Sequence, residues 1–209
     1  MAGAVVKQEA MEERTNGREA FLERRKARIG ILRNELERRF PLPCSLVLEF
    51  GCGHGHFLTG YARAHPEQHC LGIDVVSRRI RLAERKRDKA GLERLHFLKA
   101  EAREFLEALP DGLRLERVFM LFPDPWPKKR HHKKRMVQAD FLAMLARASL
   151  PDATFHFRSD HEENFLHAVA TVASSPDWEV DDTLPWPFEA PSWFQDLLPE
   201  YASFSARRV

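Results

Sequence analysis

Three cysteines in 209 residues, Cys44, Cys52 and Cys70, are too few and too scattered for a disulfide framework, and their apolar flanks read as reduced core thiols. Long apolar runs are missing too. No stretch reaches the roughly 18 residues that a membrane span needs, and the N-terminus has no apolar signal-peptide core. These absences predict a soluble, cytoplasmic protein without a membrane partner. Charge of one sign is also scarce: the net charge is +2, which excludes a global field that would gather a polyanion from a distance. Any such partner must be held by local patches. No metal site follows from the cysteines, and no internal repeat is visible.

What is present is a regular alternation. Strands are predicted at Leu46–Phe50, Cys70–Val75, Leu95–Lys99, Leu115–Leu121 and Thr154–Arg158. Helices are predicted at His56–Ala64, Ser77–Ala90, Glu101–Leu109, Lys134–Ser149 and His161–Ser174, on stripes such as Val137, Phe141, Met144, Leu145 and Ala148. Short strands alternating with helices imply an α/β fold: a doubly wound, mainly parallel, Rossmann-like sheet. Ahead of it, residues 1–20 read as a polar, frayed arm. Phe21, Ile29, Leu32, Leu36 and Phe40 then mark a surface helix closed by Pro41 and Pro43, so residues 1–40 precede the domain proper at 41–209. Residues 1–40 hold ten Lys/Arg against seven Glu, which ordinary i,i+4 pairing along a helix accounts for. After Ser175 the texture changes to acids, prolines and aromatics. Trp178–Asp182 and Ala202–Arg207 are expected to pair antiparallel at the sheet edge, joined by a long loop over Leu184–Tyr201. Loops of that length are uncommon unless functional.

Two segments carry the chemistry. In LVLEFGCGHG, Leu46–Gly55, a strand meets Glu49 and then Gly51, Gly53 and Gly55 before a helix. Alternating glycines let the backbone turn tightly and bring amides close to a ligand at a helix N-terminus. A dinucleotide fingerprint would need a glycine where His56 stands, so that reading fails. Asp74 ends the second strand about 20 residues on, where an acid can hold ribose hydroxyls, and Glu101 follows the third.

The second segment is FMLFPDPWPKKRHHKKR, Phe119–Arg135. Pro123 and Pro125 stop strand pairing and fix the backbone, which puts Asp124 at the strand's carboxyl end, where open α/β sheets bind ligands. From Lys128 to Arg135 there are six Lys/Arg and two His, with no acid among them. Such a run binds phosphates well and reads sequence poorly. Its cations also disfavour a metal at His131 and His132.

The glycine loop resembles motif I of class I S-adenosylmethionine methyltransferases. The string PDPWPKKRH at Pro123–His131, with Phe157–Asp160, closely resembles the bacterial tRNA (guanine-N7)-methyltransferase family, over roughly Val47–Asp160. The resemblance implies S-adenosylmethionine as cofactor and tRNA as partner. It places Glu49, Gly51, Gly53, Gly55, Asp74, Glu101 and Asp124 at the cofactor, with Asp124 catalytic. Lys128 and Asp160 are placed at the target nucleotide, and Lys129, Arg130, His131, His132, Lys133, Lys134 and Arg135 at the RNA. Trp126, Trp186 and Trp193 are candidates to stack on an extruded base, or simply to pack.

The chain departs from the family at its end. There the family shows T-x-[FY]-E, and Ser192-Trp193-Phe194-Gln195 stands in its place. Ser192 keeps a hydroxyl, whereas Gln195 brings an amide without the negative charge. Two alternatives therefore stay open: an enzyme of the same cofactor class acting on another base or a small molecule, and an RNA-binding module without catalysis. The choice between monomer and homodimer is open as well.

Overall fold

The structure, a computed structural model, describes residues 2–189 and 200–209, with residues 2–16 as backbone only. Helix α1 (Ala2–Arg39) is followed by β1 (Cys44–Phe50), α2 (His56–Ala64), β2 (Cys70–Asp74), α3 (Ser77–Ala90), β3 (Leu95–Lys99) and α4 (Ala102–Ala108). Then come β4 (Leu113–Leu121), a 3₁₀ turn (Lys129–Lys134), α5 (Ala139–Ala148), β5 (Ser149–Ser159), α6 (Glu162–Ala173), β6 (Trp178–Val180) and β7 (Ala202–Arg208). The strands form one sheet in the order β3-β2-β1-β4-β5-β7-β6. The first five run parallel, while β7 joins β5 antiparallel and β6 joins β7 antiparallel.

Central strands of such a sheet are covered on both faces, so their sequences are mostly apolar. In β1, Leu46, Leu48 and Phe50 enter one core, shared with Leu36 of α1, Phe105 of α4, Phe141 of α5 and Val172 of α6. Val47 points the other way, into a smaller core with Phe57 and Tyr61 of α2, Ile80 and Ala83 of α3, Phe97 and Phe119. Toward β7 this second face has aromatic residues from the segment before residue 190 against it. Phe188 packs on Phe57 and Tyr61, and Trp186 lies against His156 and Phe119. Trp186 is therefore a packing residue, and the long loop expected over Leu184–Tyr201 begins as part of the core.

Two boundaries differ from the sequence-based expectation for physical reasons. The helix expected from Lys134 starts only at Ala139, because Arg135 is drawn inward and the basic residues before it close a separate 3₁₀ turn. Strand β5 starts at Ser149, five residues early. Pro151 and Asp152, whose φ is +60°, form an irregularity that shifts the register between Leu115–Ser149 and Arg117–Thr154. At the N-terminus, α1 spans Ala2–Arg39 without a break where a frayed arm was expected. Its last turns are anchored by Leu32, Leu36 and Phe40, all buried, while Phe21 of the same stripe is exposed.

Candidate functional site

The carboxyl ends of β1, β2 and β4 open into a cleft of about 230 Å³, lined among others by Gly51, Asp74, Val75, Arg79, Asp124, Trp126, Lys134 and Met136. One wall is the glycine turn. Gly51, Gly53 and Gly55 have φ of +71°, +53° and +67°, a region that side chains avoid. The turn is tied to β2 by bonds from the Gly51 and Cys52 amides to the Ile73 carbonyl, 2.8 and 3.0 Å. Gly55 has a second constraint, since an added Cβ would lie 2.6 Å from Phe97 and 2.9 Å from Ala83. The third glycine thus serves helix packing as well as the turn.

Two acids sit under this turn. Asp74 is 5% exposed and accepts from the Gly53 amide at 3.2 Å and the Val76 amide at 2.7 Å, with Arg79 at 3.4 Å. Glu49 is 4% exposed, and its Oε2 has no hydrogen-bond partner. Burial pushes its carboxyl up to about 8, opposed by a bond from the Leu58 amide and reinforced by the charge of Asp74. A buried carboxylate with a free oxygen beside a glycine turn is suited to an ammonium group, whose charge would offset the cost of ionising it.

The opposite wall is the segment after β4. The Phe122 amide bonds the Arg158 carbonyl at 2.8 Å, extending the pairing of β4 with β5. Phe122 and Trp126 then both take positive φ, +50° and +44°, a costly conformation for bulky residues. Between them Asp124 is exposed at the cleft. Lys134 Nζ lies 4.6 Å from the centroid of the Trp126 ring, which places one cation of the basic turn at the rim. Lys128, Lys129, Arg130, Lys133 and Lys134 are exposed, with His131 and His132 half-buried.

Arg135 is a correction to the expected RNA-contacting set. It is 3% exposed and donates to the Pro125 carbonyl at 3.0 Å and the Glu163 carbonyl at 3.3 Å, with the Glu163 carboxylate at 3.5 Å. Its guanidinium braces the basic turn from inside. Glu101 is exposed just after β3. Its carboxylate accepts from the Glu104 amide at 3.0 Å as the N-cap of α4, while Ala100 and Ala102 on either side of it line the cleft.

Asp160 is exposed at the end of β5, beside the end of β4. Ser192, Gln195 and Trp193 lie outside the described residues. Sequence reasoning missed Arg79 and Met136 as cleft residues and Arg158 as a structural centre. Arg158 is buried, with its guanidinium 4.0 Å from the Trp186 ring, 4.4 Å from that of Tyr201, and paired with Glu189 at 2.9 Å. An arginine among the phenylalanines of a strand was the available signal. Among the described residues, no helix is long and apolar enough to cross a membrane, and no three His, Cys, Asp or Glu side chains converge as a metal site.

A wound parallel sheet with an antiparallel edge, and a glycine turn and two acids at its carboxyl edge, define a Rossmann-like methyltransferase fold. Solved structures agree. TrmN from Thermus thermophilus superposes with a TM-score of 0.57 at 16% identity, over 87% of this chain and 48% of that one. A 16S rRNA (adenine(1408)-N(1))-methyltransferase from Catenulisporales acidiphilia gives 0.56 at 18%, over 85% and 90%.

Residues 44–192 match the family described as "Putative methyltransferase", and the chain belongs to that family. Curated relatives include the tRNA (guanine-N(7)-)-methyltransferases of Shewanella frigidimarina, 36% identical over 71% of this chain, and of Rhodospirillum rubrum, 33% over 75%. The matched stretch spans 63% and 62% of those two proteins.

Proposed function

We propose that the chain methylates N7 of a guanine in tRNA, in the variable loop, using S-adenosylmethionine in the cytoplasm. The observation that carries this reading is the pairing, across one cleft, of a glycine turn over a buried, partly unpartnered Glu49 with a strand-end Asp124 beside a basic turn. Relatives that are tRNA (guanine-N(7)-)-methyltransferases support the choice of substrate.

The residues fit the donor. Glu49 would face the ammonium of its methionine part and Asp74 the ribose hydroxyls, beside a glycine turn whose Gly51, Cys52, Gly53 and Gly55 amides are bonded within the fold. When bound, S-adenosylmethionine supplies an electrophilic sulfonium methyl. Guanine N7 carries a free lone pair at neutral pH, so no residue has to remove a proton from it, and the work of the chain is alignment. Asp124 and Asp160 stand at neighbouring strand ends. There their carboxylates can accept from the N1 and N2 donors of guanine and oppose the positive charge that N7 methylation creates. The cations of the basic turn hold phosphates, which fixes the register of the RNA without reading its sequence.

The test is methylation of tRNA transcripts followed by aniline cleavage at 7-methylguanine. Cleavage at a variable-loop guanine is expected. Methyl transfer from the donor with no cleavage at any guanine would replace this reading by a second one that Gln195 favours, an enzyme of the same class acting on another base. No transfer at all, despite tight RNA binding, would leave the RNA-binding module.

A further inference from the structure

Helix α3 carries seven Lys/Arg and two acids in its 14 residues. Three of those cations are engaged within the fold. Arg79 reaches Asp74, Lys86 donates to the His54 carbonyl at 2.9 Å, and Arg87 pairs with Asp88 at 2.7 Å. The other four, Arg78, Arg81, Arg85 and Lys89, are exposed, and no acid is in salt-bridge contact with them among the described residues.

Their spacing of three and four residues sets them on one side of the helix as a row about 16 Å long at 1.5 Å per residue. The row begins near the rim of the cleft, because Arg79, next to Arg78, lines it, and β1 separates β2, which leads into α3, from β4, which leads into the basic turn. An arginine-rich helix is often no more than a solvated face, and α1 illustrates that case. There Arg25, Lys26, Arg28, Arg38 and Arg39 are each paired with a glutamate, and of the described cations Arg18, Arg24 and Arg33 are outside salt-bridge contact. The row on α3 lacks such neutralisation, and so keeps a local positive field in a chain whose net charge is only +2.

We propose that this row is a second docking surface for the RNA, taking phosphates of the tRNA backbone on the side of the cleft away from the basic turn. The inference rests on tRNA being the substrate. With the base in the cleft, the backbone on one side meets Lys128–Lys134 and on the other runs along α3. Exposed arginines and a lysine in a row give several point contacts to phosphate and little base recognition.

The experiment compares tRNA binding and methylation by the wild-type chain and a variant with Arg78→Ala, Arg81→Ala, Arg85→Ala and Lys89→Ala, over a salt series. Alanine favours helix, so the fold is kept, and thermal melting together with S-adenosylmethionine affinity checks this. A drop of about two to three in the magnitude of the log–log salt slope is expected, with affinity at least tenfold weaker at low salt. Donor affinity stays unchanged. A companion variant with lysine at the three arginine positions should retain the wild-type slope. Methylation of tRNA by the wild type, with the same slope in the alanine variant, would overturn the α3 surface while leaving the proposed function standing. Loss of the slope in the lysine variant as well would overturn the phosphate contact. A wild-type chain that does not bind tRNA would overturn both readings.

Discussion

The two walls of the cleft are built on opposite principles. On the wall proposed for the donor, the cleft is bounded by a glycine backbone and buried acids, set by three glycines of positive φ and fixed within the sheet by the Ile73 carbonyl. On the RNA side they are exposed side chains on a short 3₁₀ turn, and the order comes from beneath, through Arg135 and its bonds to Pro125 and Glu163. A small donor needs a rigid, partly desolvated cradle. A large polyanion needs accessible cations whose average position is held. The first wall should therefore fail through stability and shape, the second through affinity and salt.

The largest effect is expected where the walls meet. Asp124→Ala should lower methyl transfer at least about 100-fold, the range for losing one charge-stabilising group. Melting temperature should not change, since the side chain is exposed, and a matching loss of stability would show that the residue is structural. Next comes Gly55→Ala, whose Cβ meets Phe97 and Ala83 at a positive φ. It should cost about 1–3 kcal/mol in chemical denaturation and weaken donor binding. Arg135→Ala should follow at about 1–3 kcal/mol, with tRNA binding impaired because the turn loses its brace. Arg135→Lys should not restore it, as one ammonium cannot serve Pro125, Glu163 and His132 together. A single Lys129→Ala should do least, reducing the salt slope by about one unit or less with stability intact.

Acidity acts on Glu49 and on two buried histidines away from the cleft in opposite senses. The folded Glu49 carboxyl titrates at about 8 against a usual 4.5, because burial disfavours its charge. The folded chain thus holds this proton more tightly than the unfolded chain. Its contribution to stability is fully present below about pH 4.5 and is lost as pH rises toward 8. Two histidines act in the reverse sense. Burial lowers His156 to about 3 and His96 to about 4, from 6.5, so the stability they contribute is present above pH 6.5 and is lost as pH falls through that interval. Denaturation midpoints of His156→Gln and the wild type should converge on acidification from pH 6.5 to 4 if this is correct.

The donor wall was the more legible of the two from sequence. A strand, an acid, alternating glycines and a helix form a local pattern, and α2 and α3 fall at the residues their periodicity indicates. Asp74 was legible for the same reason, as the last residue of an apolar run. Glu101 was legible only in part, because an acid after a strand suits a ligand and a helix cap alike, and the bond to the Glu104 amide that makes it a cap appears only in the fold. On the RNA wall the charge run was plain, but which cations face solvent depends on contacts from afar. Glu163, 28 residues from Arg135, takes Arg135 inside. Trp186 went the same way, since Arg158, His156 and Phe119, which surround it, come from other strands. The row on α3 was within reach of a helical-wheel reading. What sets it apart is that none of its four cations is in salt-bridge contact with an acid among the described residues, whereas five cations of α1 are, and this requires the folded neighbours.

The account depends most directly on a methyl donor occupying the glycine turn above Glu49. Titration calorimetry of the chain with S-adenosylmethionine at pH 7, repeated in buffers of different ionisation enthalpy, tests this. One equivalent should bind with release of a substantial fraction of a proton, because an ammonium against Glu49 lowers a carboxyl that otherwise titrates at about 8, and Glu49→Gln should remove the release. Saturable binding without any proton release would contradict the role given to Glu49, and no binding at all would contradict the account as a whole.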